Sequence, residues 1–220
     1  MGSKDTAARR ERLVDSLIKR GYIHSPEIIQ AMKAVPRHQF MPPSMATHFY
    51  ADSPQCIQCG QTISAPHMVG IMAERLDLQK GQKILEIGTG SGYHAAIVAH
   101  IVGSSGEVHT IERQEKLVDF ARQNLERSSY GKQVMVHVGD GSKGWPDAAP
   151  YDRIYVTCAS PDIPPPLVEQ CADGGKVMVP VGGSSYQTLV IGVKRNGKLK
   201  RKSFEDCVFV PLVGEHGFKL

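Results

Sequence analysis

The residues with the clearest chemical potential are Ile84-Leu85-Glu86-Ile87-Gly88-Thr89-Gly90-Ser91-Gly92-Tyr93. An apolar run with strand character enters Gly88, and a helical pattern starts near Gly92. Glycines permit a tight turn and let backbone approach a ligand closely. The helix start adds unpaired N–H groups beside that turn. Such a loop suits a nucleotide-like cofactor; the plainer alternative is a structural turn. The dinucleotide fingerprint G-x-G-x-x-G demands glycine at position 93, where Tyr93 stands. The observed spacing is G-x-G-x-G, with Glu86 ahead of it. A loop that need not cradle a pyrophosphate, only an adenosyl group and an amino-acid tail, points to S-adenosylmethionine.

Two later strand ends carry matching chemistry. Ile111-Glu112 closes the second strand, and a carboxylate there can accept both ribose hydroxyls. The alternative is a surface Glu at a helix start, where an acid suits the dipole. Gly139-Asp140-Gly141 closes the third strand. Its Asp can reach an adenine amino group, or it can serve as an ordinary N-cap. Three strand ends in register, each with the expected chemistry, are hard to obtain by accident.

The elements that must position these residues form a regular alternation. Strands are predicted at Lys83–Ile87, Glu107–Ile111, Gln133–Val138, Tyr151–Thr157 and Lys176–Val181. Helices are predicted at Tyr93–Val102, Gln114–Arg127 and Pro165–Ala172, the last closed by Gly174-Gly175 as a C-cap signal. Thr188–Lys194, Asn196-Gly197 and a strand around Asp206–Leu212 predict a terminal β-hairpin. Upstream, Leu13, Leu17 and Ile18 mark a helix over residues 5–20. Ser25-Pro26-Glu27 starts another helix that Pro36 ends, with Ser25 as N-cap. A third helix runs over Pro66–Leu78. The stretch 36–62, with Pro36, Pro42, Pro43, Pro54 and Gly60, is irregular and long enough to be functional.

The alternation predicts an α/β, doubly wound Rossmann-like fold with an N-terminal helical extension and a C-terminal β-hairpin. The expected organisation is residues 1–80 packed on a core of 81–220, one structural domain in all. Right-handed crossovers put the strand C-termini on one edge, where ligands bind.

Bulk properties bound the function. The chain has 220 residues, 41% hydrophobic and 22% charged, as expected of a globular core. Its net charge is only +4. The one dense basic run, Lys194 to Lys202 around Asn196-Gly197, reads as a solvated hairpin tip, so no nucleic-acid partner is expected. No apolar stretch approaches the roughly 18–20 residues of a membrane span, and Met1–Arg12 lacks an apolar h-region. A cytoplasmic monomer follows as the expectation. Cys56-Ile57-Gln58-Cys59 lacks a second ligand pair at zinc spacing, so no metal is expected.

Upstream of the glycine loop lie Tyr50-Ala51-Asp52-Ser53-Pro54 and Gly60-Gln61-Thr62-Ile63-Ser64-Ala65-Pro66-His67-Met68. On spacing alone, Thr62 and Ser64 read as caps before Pro66. Taken with Leu85–Tyr93, Gly139-Asp140-Gly141, Gly174-Gly175, Pro180-Val181-Gly182 and Val210-Pro211-Leu212, however, these blocks resemble the protein-L-isoaspartate O-methyltransferase family. The resemblance covers about Pro36 to Leu212, and Gln61-Thr62-Ile63-Ser64-x-Pro66 is its most specific part. Cys56 and Cys59 depart from the usual residues of that loop.

The resemblance implies methylation of the free α-carboxyl of L-isoaspartyl residues in damaged proteins and peptides, followed by uncatalysed succinimide formation. It implies S-adenosylmethionine as donor and S-adenosylhomocysteine as product. Ser64 falls on the family's active-site residue. The expected cofactor contacts are Thr62, Ile63, Ser64, His67, Glu86, Gly88, Thr89, Gly90, Ser91, Gly92, Glu112, Arg113, Gly139, Asp140 and Gly141. The expected substrate contacts are Ile57, Thr62, Ser64, Thr157 and Val213.

Elementary chemistry agrees with those residue types. A carboxylate is already anionic at neutral pH, so no general base is required. What remains is alignment and exclusion of water, and orientation alone can supply roughly 7–11 kcal/mol. A hydroxyl such as that of Ser64 can orient the carboxylate, whereas a bidentate Arg would hold its ground state too tightly. Residues Thr157 to Ser160 are expected along the same edge. An extended peptide would run between the Ile57–Thr62 loop and the Val210–Val213 segment. The competing readings are an RNA or small-molecule methyltransferase on the same cofactor fold, and a non-catalytic adenosyl-binding module.

Overall fold

The computed structural model describes residues 3–219, with side chains described from residue 5 onward. Met1, Gly2 and Leu220, which fall within the expected segments, lie outside the described residues. The N-terminal segment forms α1 (Ser3–Lys19) and α2 (Pro26–Ala34), then irregular chain with short 3-10 turns. A two-residue antiparallel ribbon follows, β1 (Gln55–Cys56) with β2 (Thr62–Ile63), and then α3 (Pro66–Leu76).

The alternation comes next: β3 (Lys83–Ile87), α4 (Tyr93–Val102), β4 (Glu107–Glu112), α5 (Glu115–Arg127), β5 (Val134–Val138), β6 (Tyr151–Val156) and α6 (Pro165–Gln170). The chain closes on three long strands, β7 (Cys171–Gly182), β8 (Gln187–Arg195) and β9 (Lys198–Cys207). The seven-stranded sheet has the order β5-β4-β3-β6-β7-β8-β9. Strands β5 to β7 are parallel, and β8 and β9 run antiparallel. The order reverses beside β3, where neighbouring connections leave in opposite directions and open a crevice at the strand C-termini.

Helix α4 explains why the N-terminal segment is there. Nine of its ten residues are buried, so it is apolar all round rather than on one stripe. The sheet covers one side, and α2 packs on the other. Leu13, Val14 and Leu17 of α1, Ile28 and Met32 of α2, and Met72 and Leu76 of α3 join Ala95, Ala96 and Val98 in one continuous core. Helix α5 is amphipathic, with Leu117, Val118, Ala121 and Leu125 turned inward.

Several boundaries differ from the sequence expectation. The helix expected at Pro165–Ala172 stops at Gln170, where Cys171 is already extended. Gly174-Gly175 is therefore no helix cap but part of β7. The hairpin is present around Asn196-Gly197, both at positive φ, yet its second strand is Lys198–Cys207 and not the region around Asp206–Leu212. That later segment leaves the sheet to line the crevice, bridging to Ala159. Lys198, Lys200 and Lys202 stand exposed on the edge strand β9, where charge discourages pairing with another sheet. Ser25 precedes α2 but caps nothing; its hydroxyl donates to Glu74 at 2.6 Å. Ile18 is 38% exposed, whereas Leu17 is fully buried.

Docking of α1 is thus a packing event with a measurable weight. Leu17→Ala should lower stability in urea unfolding by about 2–5 kcal/mol. Ile18→Ala should stay within about 0.5 kcal/mol. Equal effects would contradict the described face of α1.

Candidate active site

The turn after β3 is built to let the chain pass the sheet edge closely. Gly88, Gly90 and Gly92 have φ of 95°, 54° and 84°, a region that L side chains rarely adopt. At Gly88 space is lacking as well: a Cβ would meet Thr157 Oγ1 at 2.5 Å and Cys158 Sγ at 2.8 Å. The Gly88 and Thr89 N–H groups donate to the Ile111 carbonyl, which clips the turn to β4. Asn124 of α5, fully buried, donates to the Ser91 carbonyl at 3.0 Å.

Below the turn runs a chain of buried hydroxyls. Thr89 Oγ1 lies 2.7 Å from Thr110 Oγ1, which donates to Glu86 Oε2 at 2.6 Å. The Tyr155 hydroxyl donates to Glu86 Oε1 at 2.8 Å. Glu86 is completely buried. Burial outweighs the two hydrogen bonds and, with nearby Glu112, pushes its pKa up to about 8. The His94 ring lies tilted against Tyr155 with centroids 4.6 Å apart, and burial pushes its pKa down to about 3, leaving it neutral.

Glu112 sits at the end of β4. Its Oε2 accepts from Gly90 N–H and its Oε1 from Gln114 N–H, both at 3.1 Å. A carboxylate has about four acceptor positions, so capacity remains for two ligand hydroxyls. Asp140 is more committed. It accepts from Ser142 N–H, Ser142 Oγ–H and Glu215 N–H at 2.7–2.9 Å, capping the short turn Gly141–Lys143. Burial raises its pKa, but those bonds and nearby Lys143 win and hold it below the ordinary value.

Two adjoining cavities open over this floor. The larger, about 740 Å³, is lined by Thr62, Ile63, Ser64, His67, Glu86, Gly88, Thr89, Gly90, Ser91, Glu112 and Thr157. The smaller, about 210 Å³, is lined by Gly88, Glu112, Arg113, Gly141 and Val213. Together they fall in the range of roughly 300–1,000 Å³ usual for small-molecule sites. Ile57, Gly92, Gly139 and Asp140 support the walls from behind. Ile57 reaches within 3.8 Å of where a Gly90 Cβ would stand, and Gly139 N–H donates to the Glu112 carbonyl.

The wall facing the glycine turn is the 61–67 segment. Helix α3 has Ala65 as its N-cap without a side-chain bond, so Thr62 and Ser64 do not cap it. Thr62 instead lies in β2 opposite Cys56, and Ser64 borders the cavity. Thr157 completes the wall, but its hydroxyl is already spent on the Ile87 and Gly88 carbonyls at 3.0 and 2.7 Å. Neighbouring Cys158 is a half-buried thiol at the cavity wall, pushed up to about 12 by desolvation and nearby Glu112, no nucleophile at neutral pH.

This geometry can be set beside known proteins. A family model described as protein-L-isoaspartate(D-aspartate) O-methyltransferase matches residues 8–217. The chain belongs to that family. A relative from Hyperthermus butylicus, named protein-L-isoaspartate O-methyltransferase, is 50% identical over 218 residues, covering 96% of this chain and 90% of its own. One of the same name from Methanopyrus kandleri is 52% identical, covering 96% and 93%. A Plasmodium falciparum protein of this family, solved in complex with S-adenosyl-L-homocysteine, superposes with a TM-score of 0.84 at 27% identity, covering 93% of this chain and 98% of its own. A solved protein-L-isoaspartate O-methyltransferase gives 0.86 at 31% identity, covering 94% and 67%.

Within this methyltransferase frame, sequence reading missed the supporting residues. Thr110, Tyr155 and Asn124 carry no motif, because each acts through a partner far away in sequence. His94 follows the glycine turn directly, but its burial needs the fold. Asp52, within a quoted block, accepts from both the backbone and the ring of His67.

The Glu86 carboxyl makes stability depend on pH. Its pKa rises from 4.5 in a free chain to about 8 in the fold. Between those values the folded chain keeps a proton that the unfolded chain has lost, so this group makes stability fall as pH rises. Glu86→Gln should flatten that decline in urea unfolding measured from pH 5 to 8 without ligand. An unchanged slope would assign the decline to another group.

Proposed function

We propose that the enzyme methylates the free α-carboxyl of L-isoaspartyl residues in damaged proteins and peptides, using the crevice at the ends of β3 and β4 for its methyl donor. The observation that supports this reading is that Ser64 and the glycine turn line one cavity, in a chain of this family. Bound there, S-adenosylmethionine supplies a methyl group activated by its sulfonium and leaves as S-adenosylhomocysteine. The residues present fit it: a glycine turn at positive φ with no room for a Cβ at Gly88, Glu112 with free acceptor positions for ribose hydroxyls, and His67 at the larger cavity, with Glu86 acting from beneath the turn.

In this reading Gly88, Thr89, Gly90, Ser91 and Gly92 form the cradle. Arg113, Gly139, Asp140 and Gly141 border the adenine end, with Asp140 acting mainly through the turn it caps. Thr62, Ile63 and His67 close the opposite side. Ser64 donates a hydrogen bond from its hydroxyl to one oxygen of the isoaspartyl carboxylate and points the other at the methyl. No proton has to move, since the attacking group is already an anion. Thr62, Thr157 and Val213 border the entering peptide, with Ile57 supporting that wall from behind. The resulting ester closes to a succinimide without further help from the chain.

Lys194 holds the Glu169 and Cys171 carbonyls and Arg201 pairs with Asp162, which fits a structural edge strand rather than a nucleic-acid surface. No described helix is long and apolar enough to cross a membrane.

Tritium transfer from labelled donor to an isoaspartyl peptide, against its aspartyl twin and bulk RNA, tests the substrate. Only the isoaspartyl peptide should gain label. Ser64→Ala should lower kcat by about 10²-fold, the order seen when a positioned transition-state donor is removed, while S-adenosylhomocysteine affinity stays within about twofold. Undiminished turnover would remove Ser64 from the proposed role.

A further inference from the structure

His67 does not stand freely in the cavity wall. Its Nδ1 and its backbone N–H both lie 2.8 Å from one oxygen of Asp52. A carboxylate only accepts, so Nδ1 must carry the proton. The other Asp52 oxygen accepts from Arg20 Nη1 at 2.8 Å. Arg20 Nη2 donates to the Tyr22 hydroxyl at 2.8 Å, and its guanidinium lies 4.5 Å over the Tyr22 ring. That ring in turn rests against the His67 ring, with centroids 5.3 Å apart. The imidazole is therefore fixed at its proton, its backbone and one face. With Nδ1–H engaged, the ring's second polar atom is Nε2, which in the Nδ1–H tautomer carries a lone pair.

We propose that Asp52 is a positioning residue that locks His67 in the Nδ1–H tautomer, so that Nε2 serves as an acceptor for the ammonium of the donor's amino-acid end. This rests on the reading of His67 as a cofactor contact. Of the two charged groups on that end, the ammonium only donates and the carboxylate only accepts. A ring whose proton is turned away toward Asp52 matches the ammonium and rejects the carboxylate. Arg20 offsets the Asp52 charge and keeps its second oxygen engaged, so the carboxylate does not swing off the ring. Residues following α1 thereby reach the cofactor site through two hydrogen bonds, which gives the N-terminal segment a part in binding.

The test combines calorimetry of S-adenosylhomocysteine binding with the ¹⁵N spectrum of His67. In the unliganded wild type the ring should show Nδ1–H. His67→Ala should weaken binding about tenfold, as loss of a hydrogen bond to a charged group does. Asp52→Asn, nearly isosteric, offers one acceptor oxygen; with that oxygen held by Arg20 its amide faces His67 Nδ1, so the variant should populate the Nε2–H tautomer and weaken binding by a similar factor. The double variant should bind no worse than His67→Ala alone, because both changes remove one interaction. Wild-type affinity in Asp52→Asn, additive losses in the double variant, or an Nε2–H ring in the wild type would each overturn the proposal while leaving His67 as a contact. Wild-type affinity in His67→Ala would sink the contact reading as well.

Discussion

Everything at this site depends on the chain turning from β3 into α4 with no side chain in the way. A strand end delivers backbone to the sheet edge, and a helix must begin within five residues, Gly88 to Gly92. At Gly88 even one methyl group would collide with Thr157 and Cys158 of the neighbouring strand end. The turn therefore holds its shape through backbone: two N–H groups on the Ile111 carbonyl, one on Glu112, and the Ser91 carbonyl on Asn124. Each partner sits on β4 or α5, so the cradle exists only once the parallel sheet and its crossover helix have assembled.

That constraint reaches outward to the N-terminus. Helix α4 starts at the cradle and must stay fixed, yet its surface is apolar on every side. The sheet hides half of it, and exposure of the other half would cost roughly 25 cal/mol for each Å² left in water. Helices α1 to α3 cover that half as part of the same core. The cover also delivers chemistry, since Ser64 and His67 enter the cavity from the start of α3. One packing requirement thus closes the hydrophobic core and sets the second wall of the site.

Much of this was legible in the sequence, for physical reasons that differ between elements. Lys83–Ile87 and Tyr93–Val102 fall where pattern placed them, because continuous apolar runs flanked by glycine have few alternatives. The β-hairpin turn at Asn196-Gly197 was legible because the positive φ it needs is written in residue type. Gly174-Gly175 misled, since glycine serves a strand bend as readily as a helix cap. The segment after Cys207 misled too: Val208, Phe209 and Val210 have strand composition, but the ladder ends when the chain turns toward Ala159. At the site, glycines and carboxylates at strand ends could be read singly. Their hydrogen-bond partners could not, because pairs such as Glu86 with Tyr155 or Asn124 with Ser91 are set by topology and not by local spacing.

The charge layout of the cavity argues for an anionic oxygen as acceptor. The larger cavity has Glu112 and Asp206 along it, Glu86 there being held mostly protonated at neutral pH by burial, and its lining includes neither Lys nor Arg. An isolated carboxylate substrate would find little to attract it there. A sulfonium donor changes that balance, because the cation itself becomes the nearest positive charge to the entering carboxylate. Attraction is then greatest along the line on which the bond must form. A fixed Arg in the same wall would bind the carboxylate equally well before and during transfer, which lowers KM without raising kcat. Leaving the positive charge to the donor makes productive substrate binding depend on the donor already being in place.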